Sequence, residues 1–285
     1  MKSIDYSLFD YDVADYGSKY HVEYAPVKSC AHPFGLFHET KADKAVLLLH
    51  GFTGYPGELI RPGVDLYEAG FDVLAIRYPG HGTSGDDFLE TNDSMWVAAA
   101  EDAYNDLCKS YSEVYLVGHS MGGAIAVLLA ERHSIARIAL IAPALVMKNR
   151  PWRAYVLRPF ASRVKAAWKQ DLRYKPYYKN SPCDDIPMAQ QYWMYLYPKE
   201  ICCLLHLAKQ ARNGISKLNS DALVLFGDND LSVNQTRSAE IIGRGNCGRT
   251  ESVVIPGGSH LLPYDCDEQA QDKTISEIIR HFTKA

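Results

Sequence analysis

One pentapeptide of the 285-residue chain has the residue types and spacing of a nucleophile: Gly118-His119-Ser120-Met121-Gly122. It directly follows the apolar run Val114-Tyr115-Leu116-Val117 and directly precedes Gly123-Ala124-Ile125-Ala126-Val127-Leu128-Leu129. A G-x-S-x-G therefore falls where a strand turns into a helix, a setting that presents a serine hydroxyl on a tight, strained turn. The glycines fit that geometry, because a Cβ beside the turn would collide with the strand and the helix. At ordinary glycine and serine usage such a pentapeptide arises by chance about 0.1 times in a chain of this length. Its strand-turn-helix setting, more than the string itself, makes Ser120 a candidate nucleophile rather than a helix N-cap serine.

A serine hydroxyl is a poor nucleophile at neutral pH and needs a base within hydrogen-bond reach, with a third group to orient that base. Both are available at the ends of apolar runs. Gly227-Asp228-Asn229-Asp230 follows the run 222–226, and Gly257-Gly258-Ser259-His260 follows the run 251–255. Catalytic groups in open parallel sheets gather at the carboxyl ends of strands. His260 is thus the candidate base, with Asp228 or Asp230 as the acid beside it. An acyl-transfer oxyanion also needs two preset N–H donors, each worth on the order of 10²- to 10³-fold in rate. The Met121 amide, following the nucleophile at a helix N-terminus, is one candidate, and the helix dipole there favours negative charge.

The elements that must position these residues follow from apolar periodicity. Residues 21–27, 44–49, 71–76, 113–117, 136–141, 222–226 and 251–255 read as strands, and 58–69, 93–109, the stretch opening at Ser120 and 267–282 as helices. In 93–109 the residues Trp96, Ala99, Ala100, Ala103 and Leu107 share one face. Strand-helix-strand alternation predicts a parallel sheet with helices on both faces. The alternation stops at Ala142-Pro143 and resumes at Ala222, leaving about 75 residues that read as helical and aromatic with no clear strand. This stretch is a candidate lid. Its core, 145–217, carries 14 Lys and Arg against 4 Asp and Glu, a net of +10 in a chain of net −4. Such asymmetry either steers an anionic substrate or forms a solvated basic face against an acidic body. Its aromatic residues, Trp152, Tyr155, Phe160, Trp168, Tyr174, Tyr177, Tyr178, Tyr192, Trp193, Tyr195 and Tyr197, either pack the lid or line a pocket.

Composition narrows the function classes. The seven cysteines are scattered without C-x-x-C spacing, which predicts reduced thiols, most of them in the core, and neither a disulfide framework nor a zinc site. The ten histidines form no H-E-x-x-H, so no metal and no other cofactor is expected. No nucleic-acid motif accompanies the basic stretch. The N-terminal residues lack the pattern of a signal peptide and no run approaches a membrane span, so a cytoplasmic protein with a small-molecule substrate is expected.

Five pieces together resemble the α/β-hydrolase superfamily, and within it the bacterial carboxylesterase and monoacylglycerol lipase group. They are His50-Gly51-Phe52-Thr53-Gly54, Tyr78-Pro79-Gly80-His81-Gly82, Gly118 to Gly123, Gly227 to Asp230, and Ser259-His260-Leu261-Leu262. The resemblance covers nearly the whole chain outside 145–217. It implies an α/β-hydrolase fold, a mostly parallel central sheet flanked by helices, with core 1–144 and 218–285 and an inserted helical lid 145–217. It makes Ser120 the nucleophile, His260 the general base and then acid, and Asp230 the orienting acid, since the family's acid lies three residues after the glycine. Phe52 would give the second oxyanion N–H, its ring walling the acyl pocket, while His50, His81 and His119 would be structural. The activity implied is a serine esterase acting on short- or medium-chain esters or monoacylglycerols through an acyl-Ser120 intermediate, without cofactor. Hydroxycinnamoyl ester, thioester and aminopeptide hydrolysis use the same triad. A catalytically silent fold serving as a ligand receptor is the alternative of another class.

Overall fold

Strands buried on both faces need apolar side chains pointing both ways, and the runs of this chain supply them. The computed structural model describes residues 2–148, 152–166, 171, 173, 174, 188, 192–246 and 248–284. Its strands are β1 (Phe34–Leu36), β2 (Lys44–Leu49), β3 (Asp72–Ala75), β4 (Glu113–His119), β5 (Arg137–Ile141), β6 (Val164–Lys165), β7 (Tyr195–Leu196), β8 (Asp221–Gly227) and β9 (Thr250–Ile255). Seven of them form one sheet in the order β1-β3-β2-β4-β5-β8-β9, parallel throughout except for the β1–β3 pair. Alternation within β2 divides the core: Ala45, Leu47 and Leu49 join one apolar layer, Val46 and Leu48 the other. The first layer holds helices Asp93–Cys108 and Met121–Arg132, the second Ile60–Glu68 and Glu268–Thr283. Helix Met121–Arg132 is apolar nearly all round because it lies between the sheet and helix Pro198–Gly214.

Two expectations are corrected. Residues 21–27 are not a strand. The amides of Tyr24 and Ala25 donate to the Asp87 carboxylate at 2.7 and 3.3 Å instead of to a neighbouring strand, and Val22 and Tyr24 stand in solvent. The antiparallel edge is β1, three residues long and too short to register as a periodic run. The stretch between β5 and β8 also contains strand: besides helices Trp152–Leu157 and Pro198–Gly214, β6 and β7 pair as a small antiparallel ribbon. Of its aromatic residues, Tyr192 and Tyr197 are buried against Phe88, and the Tyr192 hydroxyl donates to the Gly80 carbonyl, so both pack the insert onto the body. Trp168, Tyr177 and Tyr178 lie outside the described residues. Of the thiols described, Cys30 and Cys202 are buried, Cys203 and Cys266 half-buried and Cys108 exposed. Cys183 and Cys247 lie outside the described residues.

The N-terminal segment is tied down by one buried cation. Arg77, fully buried just past β3, pairs with Glu23 at 2.5 Å and with Asp15, and donates to the His81 carbonyl at 2.9 Å. It therefore joins residues 15–23 to the 78–82 loop. Removing one partner of a buried ion pair leaves uncompensated charge and costs about 3–5 kcal/mol. Arg77→Ala is expected to lose stability of that order in chemical denaturation, whereas a loss below about 1 kcal/mol, the surface-pair value, would contradict the assignment.

Candidate active site

Ser120 occupies the turn between β4 and helix Met121–Arg132 with φ 51° and ψ −109°, a left-handed conformation that is costly for a residue with a side chain. Neighbouring hydrogen bonds hold it there. Its amide donates to the Ile141 carbonyl at 2.9 Å, and its carbonyl accepts from Gly123 and Ala144 at 3.1 and 2.9 Å. The flanking glycines are required sterically: a Cβ on Gly122 would overlap the Leu49 carbonyl, and one on Gly118 the Gly122 carbonyl. The helix N-terminus thereby sits directly on the ends of β2 and β4.

His260 and Asp230 reach this turn from the ends of β9 and β8. His260 Nε2 lies 3.0 Å from Ser120 Oγ, and His260 Nδ1 lies 2.8 Å from Asp230 Oδ2. Asp230 is fully buried, and its Oδ1 accepts from the Ser232 and Val233 amides at 2.6 and 3.1 Å. Burial pushes its carboxyl up, but the hydrogen bond and charge of His260 together with those amides outweigh it and hold the pKa below the ordinary value. Asp228, the rival, is exposed and lies outside this cluster. The histidine loop is itself braced. Asp265 accepts from the Ser259 amide and hydroxyl at 2.7 and 2.8 Å, and His119 Nε2 bonds the His260 carbonyl at 2.9 Å. No pattern around Asp265 marks it in the sequence.

The three loop histidines are buried, each with a ring nitrogen on a backbone carbonyl: His50 on Gly51, His81 on Pro79, His119 on His260. Burial pushes His81 down to about 3, and burial with the neighbouring His260 takes His119 to about 3. His50 is likewise held well below its ordinary value by burial and by the adjacent His81. All three are neutral at pH 7.

The 51–54 turn lies against the serine: a Cβ placed on Gly51 would come 3.5 Å from the Ser120 Cβ. A 3.1 Å bond from the Gly54 amide to the Gly51 carbonyl closes the turn. The Phe52 ring packs edge-on against Phe88 and Trp96, with centroids 5.4 and 5.9 Å away. Met121 is the first residue of its helix, so its amide has no intrahelical acceptor.

Glu58 is a further buried group near the site that no local sequence pattern marks. Its buried carboxyl accepts the Tyr264 hydroxyl at 3.2 Å and lies so close to Gly54 that a Cβ there would run into it. It thus links the 51–54 turn to the segment after His260. Burial raises its pKa from 4.5 to about 8, against the opposing bonds from Tyr264 and the Tyr55 amide.

A serine on a strained strand-to-helix turn at the centre of a mostly parallel sheet, followed in the chain by an aspartate and then a histidine hydrogen-bonded to it in series, is the architecture of an α/β-hydrolase. The chain belongs to the Hydrolase_4 family, described as serine aminopeptidase, S33, whose pattern matches residues 40–267. It is 39% identical over 112 residues to the thermostable monoacylglycerol lipase of Bacillus sp. strain H-257, a match spanning 39% of this chain and 43% of that protein. To the carboxylesterase of Bacillus subtilis strain 168 it is 27% identical over 201 residues, 70% of this chain and 77% of that one. A solved structure from the metagenome-derived lipolytic enzymes LipS and LipT superposes with a TM-score of 0.74 at 22% identity, covering 90% of this chain and 99% of its own. At that identity the likeness concerns the fold.

The raised pKa of Glu58 has a sign that can be measured. Between about 4.5 and 8 the unfolded chain releases this proton while the folded chain keeps it, so Glu58 makes stability fall as pH rises, by at most about 1.4 kcal/mol per unit. Glu58→Gln is expected to remove this slope, so its melting temperature gains on the native chain from pH 5 to pH 8. Parallel melting profiles would contradict the assignment.

Proposed function

We propose that the protein is a serine esterase that hydrolyses short- or medium-chain carboxylic esters, monoacylglycerols among them, through an acyl-Ser120 intermediate. The observation that carries this reading is the hydrogen-bonded series from Ser120 Oγ to His260 Nε2 at 3.0 Å and from His260 Nδ1 to Asp230 Oδ2 at 2.8 Å. The named monoacylglycerol lipase and carboxylesterase relatives support the substrate class. Residues 145–217 act as the lid in this proposal, and neither metal nor cofactor takes part.

With Nδ1–H donating to Asp230, Nε2 is free to take the Ser120 proton as Oγ attacks the ester carbonyl carbon. The carbonyl oxygen becomes an oxyanion, held by the backbone N–H groups of Phe52 and Met121. Collapse of this intermediate breaks the ester C–O bond, and the imidazolium gives its proton to the leaving alcohol. Water then enters, loses a proton to His260 and attacks the acyl carbon. A second collapse releases the carboxylic acid and returns the proton to Oγ. Throughout, the buried Asp230 carboxylate stabilises the imidazolium without taking its proton.

Hydrolysis of p-nitrophenyl butyrate and of a monoacylglycerol tests the proposal. Asp230→Asn is expected to lower kcat about 10⁴-fold by imposing the wrong histidine tautomer, while Asp228→Asn leaves it unchanged. An unimpaired Asp230→Asn enzyme would overturn the acid assignment, and native protein inert towards every ester would overturn the function.

A further inference from the structure

Between helix Gln235–Ile242 and helix Pro198–Gly214 opens a cleft of about 820 Å³, within the roughly 300–1,000 Å³ usual for small-molecule sites. One wall is the segment 145–148. The other side of that segment pairs with the acid loop, through the Met147–Val233 bridge and bonds from Lys148 N to Ser232 O at 2.8 Å and from Asn234 N to Val146 O at 2.7 Å. Neither Ser120, His260 nor Phe52 lines the cleft, so it is separate from the proposed catalytic site.

Its charge is one-sided. Lys148, Lys209, Arg212, Arg237 and Arg244 face it with a single carboxylate, Glu240. Elsewhere basic side chains find carboxylates: Arg61 has Asp272, Arg77 has Glu23, Arg163 has Asp86 and Arg280 has Glu251. Among the described residues these five form no ion pair. Lys148 and Arg212 donate instead to the carbonyls of Asp230 and Leu145, which accept a hydrogen bond but leave the positive charge uncompensated. Arg212 is half-buried, and burial lowers its pKa with only the Tyr155 phenol opposing. Holding the half-buried Arg212 guanidinium without a carboxylate is unfavourable unless an anion joins it, and the exposed Lys148, Lys209, Arg237 and Arg244 add positive potential around it.

The remaining lining is apolar. Leu145, Met147, Ala208 and Ile241 contribute aliphatic surface, and the Trp152 and Tyr155 rings stand 61% and 50% exposed. Exposed rings of this size beside a basic rim offer a tail site next to a headgroup site. We propose that this cleft binds an amphipathic organic anion, a carboxylate or phosphate carried on an apolar chain. The arginines grip the headgroup through paired N–H donors, and the chain lies along Leu145, Met147 and Trp152. Three of the basic residues of 145–217, Lys148, Lys209 and Arg212, thereby have a specific use. This inference does not rest on the esterase reading.

Calorimetric titration of the full chain carrying Ser120→Ala tests it, since binding is then read without turnover and its failure is distinct from failure of the esterase reading. The probes are dodecanoate, dodecyl phosphate, dodecyltrimethylammonium and a neutral dodecyl glycoside, each below its micelle concentration. One or both anions are expected to bind at a salt-sensitive site that the neutral and cationic probes do not share, and the stronger of the two identifies the headgroup. Arg237→Glu combined with Arg244→Glu, both at exposed positions, is expected to weaken anion binding at least about 10-fold with an unchanged melting temperature. Equal binding of the neutral or cationic probe, equal affinity in the charge-reversed variant, or no binding of either anion would overturn the proposal.

Discussion

The close approach of one helix N-terminus to the ends of two strands governs the rest of this molecule. Helix Met121–Arg132 comes so near to β2 and β4 that neither Gly118 nor Gly122 has room for a side chain, and Ser120 at the turn between them takes φ 51°. That strain is stored at the turn and balanced by the hydrogen bonds around Ser120 and by the apolar burial of the helix behind it. Its consequence is directional. The serine side chain projects from the carboxyl edge of the sheet, with a helix N-terminus beside it, and β8 and β9 deliver a carboxylate and an imidazole to the same edge.

Electrostatics around the turn are organised by exclusion. His50, His81 and His119 are buried and neutral, each with a ring nitrogen on a backbone carbonyl, so they shape loops without adding charge. Glu58 is buried and keeps its proton into the neutral range. Asp230 is held ionised by His260 and two amides, and places its negative charge against the histidine that touches Ser120. In the proposed reaction a developing imidazolium there would meet a preset counter-charge in a site that need not reorganise.

The sheet was legible because its strands are apolar runs closed by glycine-bearing turns. β2, β4, β5, β8 and β9 all fall within a residue or two of the spacing-based expectation, and Ser120, Asp230 and His260 stand at the ends of three of them. Other elements left no such trace. Residues 21–27 alternate like a strand, yet their amides are satisfied by the Asp87 carboxylate, an interaction set by tertiary structure alone. β1 and the β6–β7 ribbon are too short for periodicity to show. Glu58 and Asp265 brace the site from buried positions that no local pattern marks, since the partners of a buried polar side chain are known only once the fold has formed. The aromatic residues of the insert were ambiguous for the same reason: Tyr192 and Tyr197 turned inward, Trp152 and Phe160 outward.

In the proposed mechanism the strained serine is a nucleophile activated by His260. It is tested most directly by reacting the native chain with a fluorophosphonate and locating the adduct by peptide mass mapping. One phosphonyl group is expected, carried on Ser120 and lost in a His260→Ala chain that still folds. An unlabelled folded chain, or a label on any other residue, would contradict it.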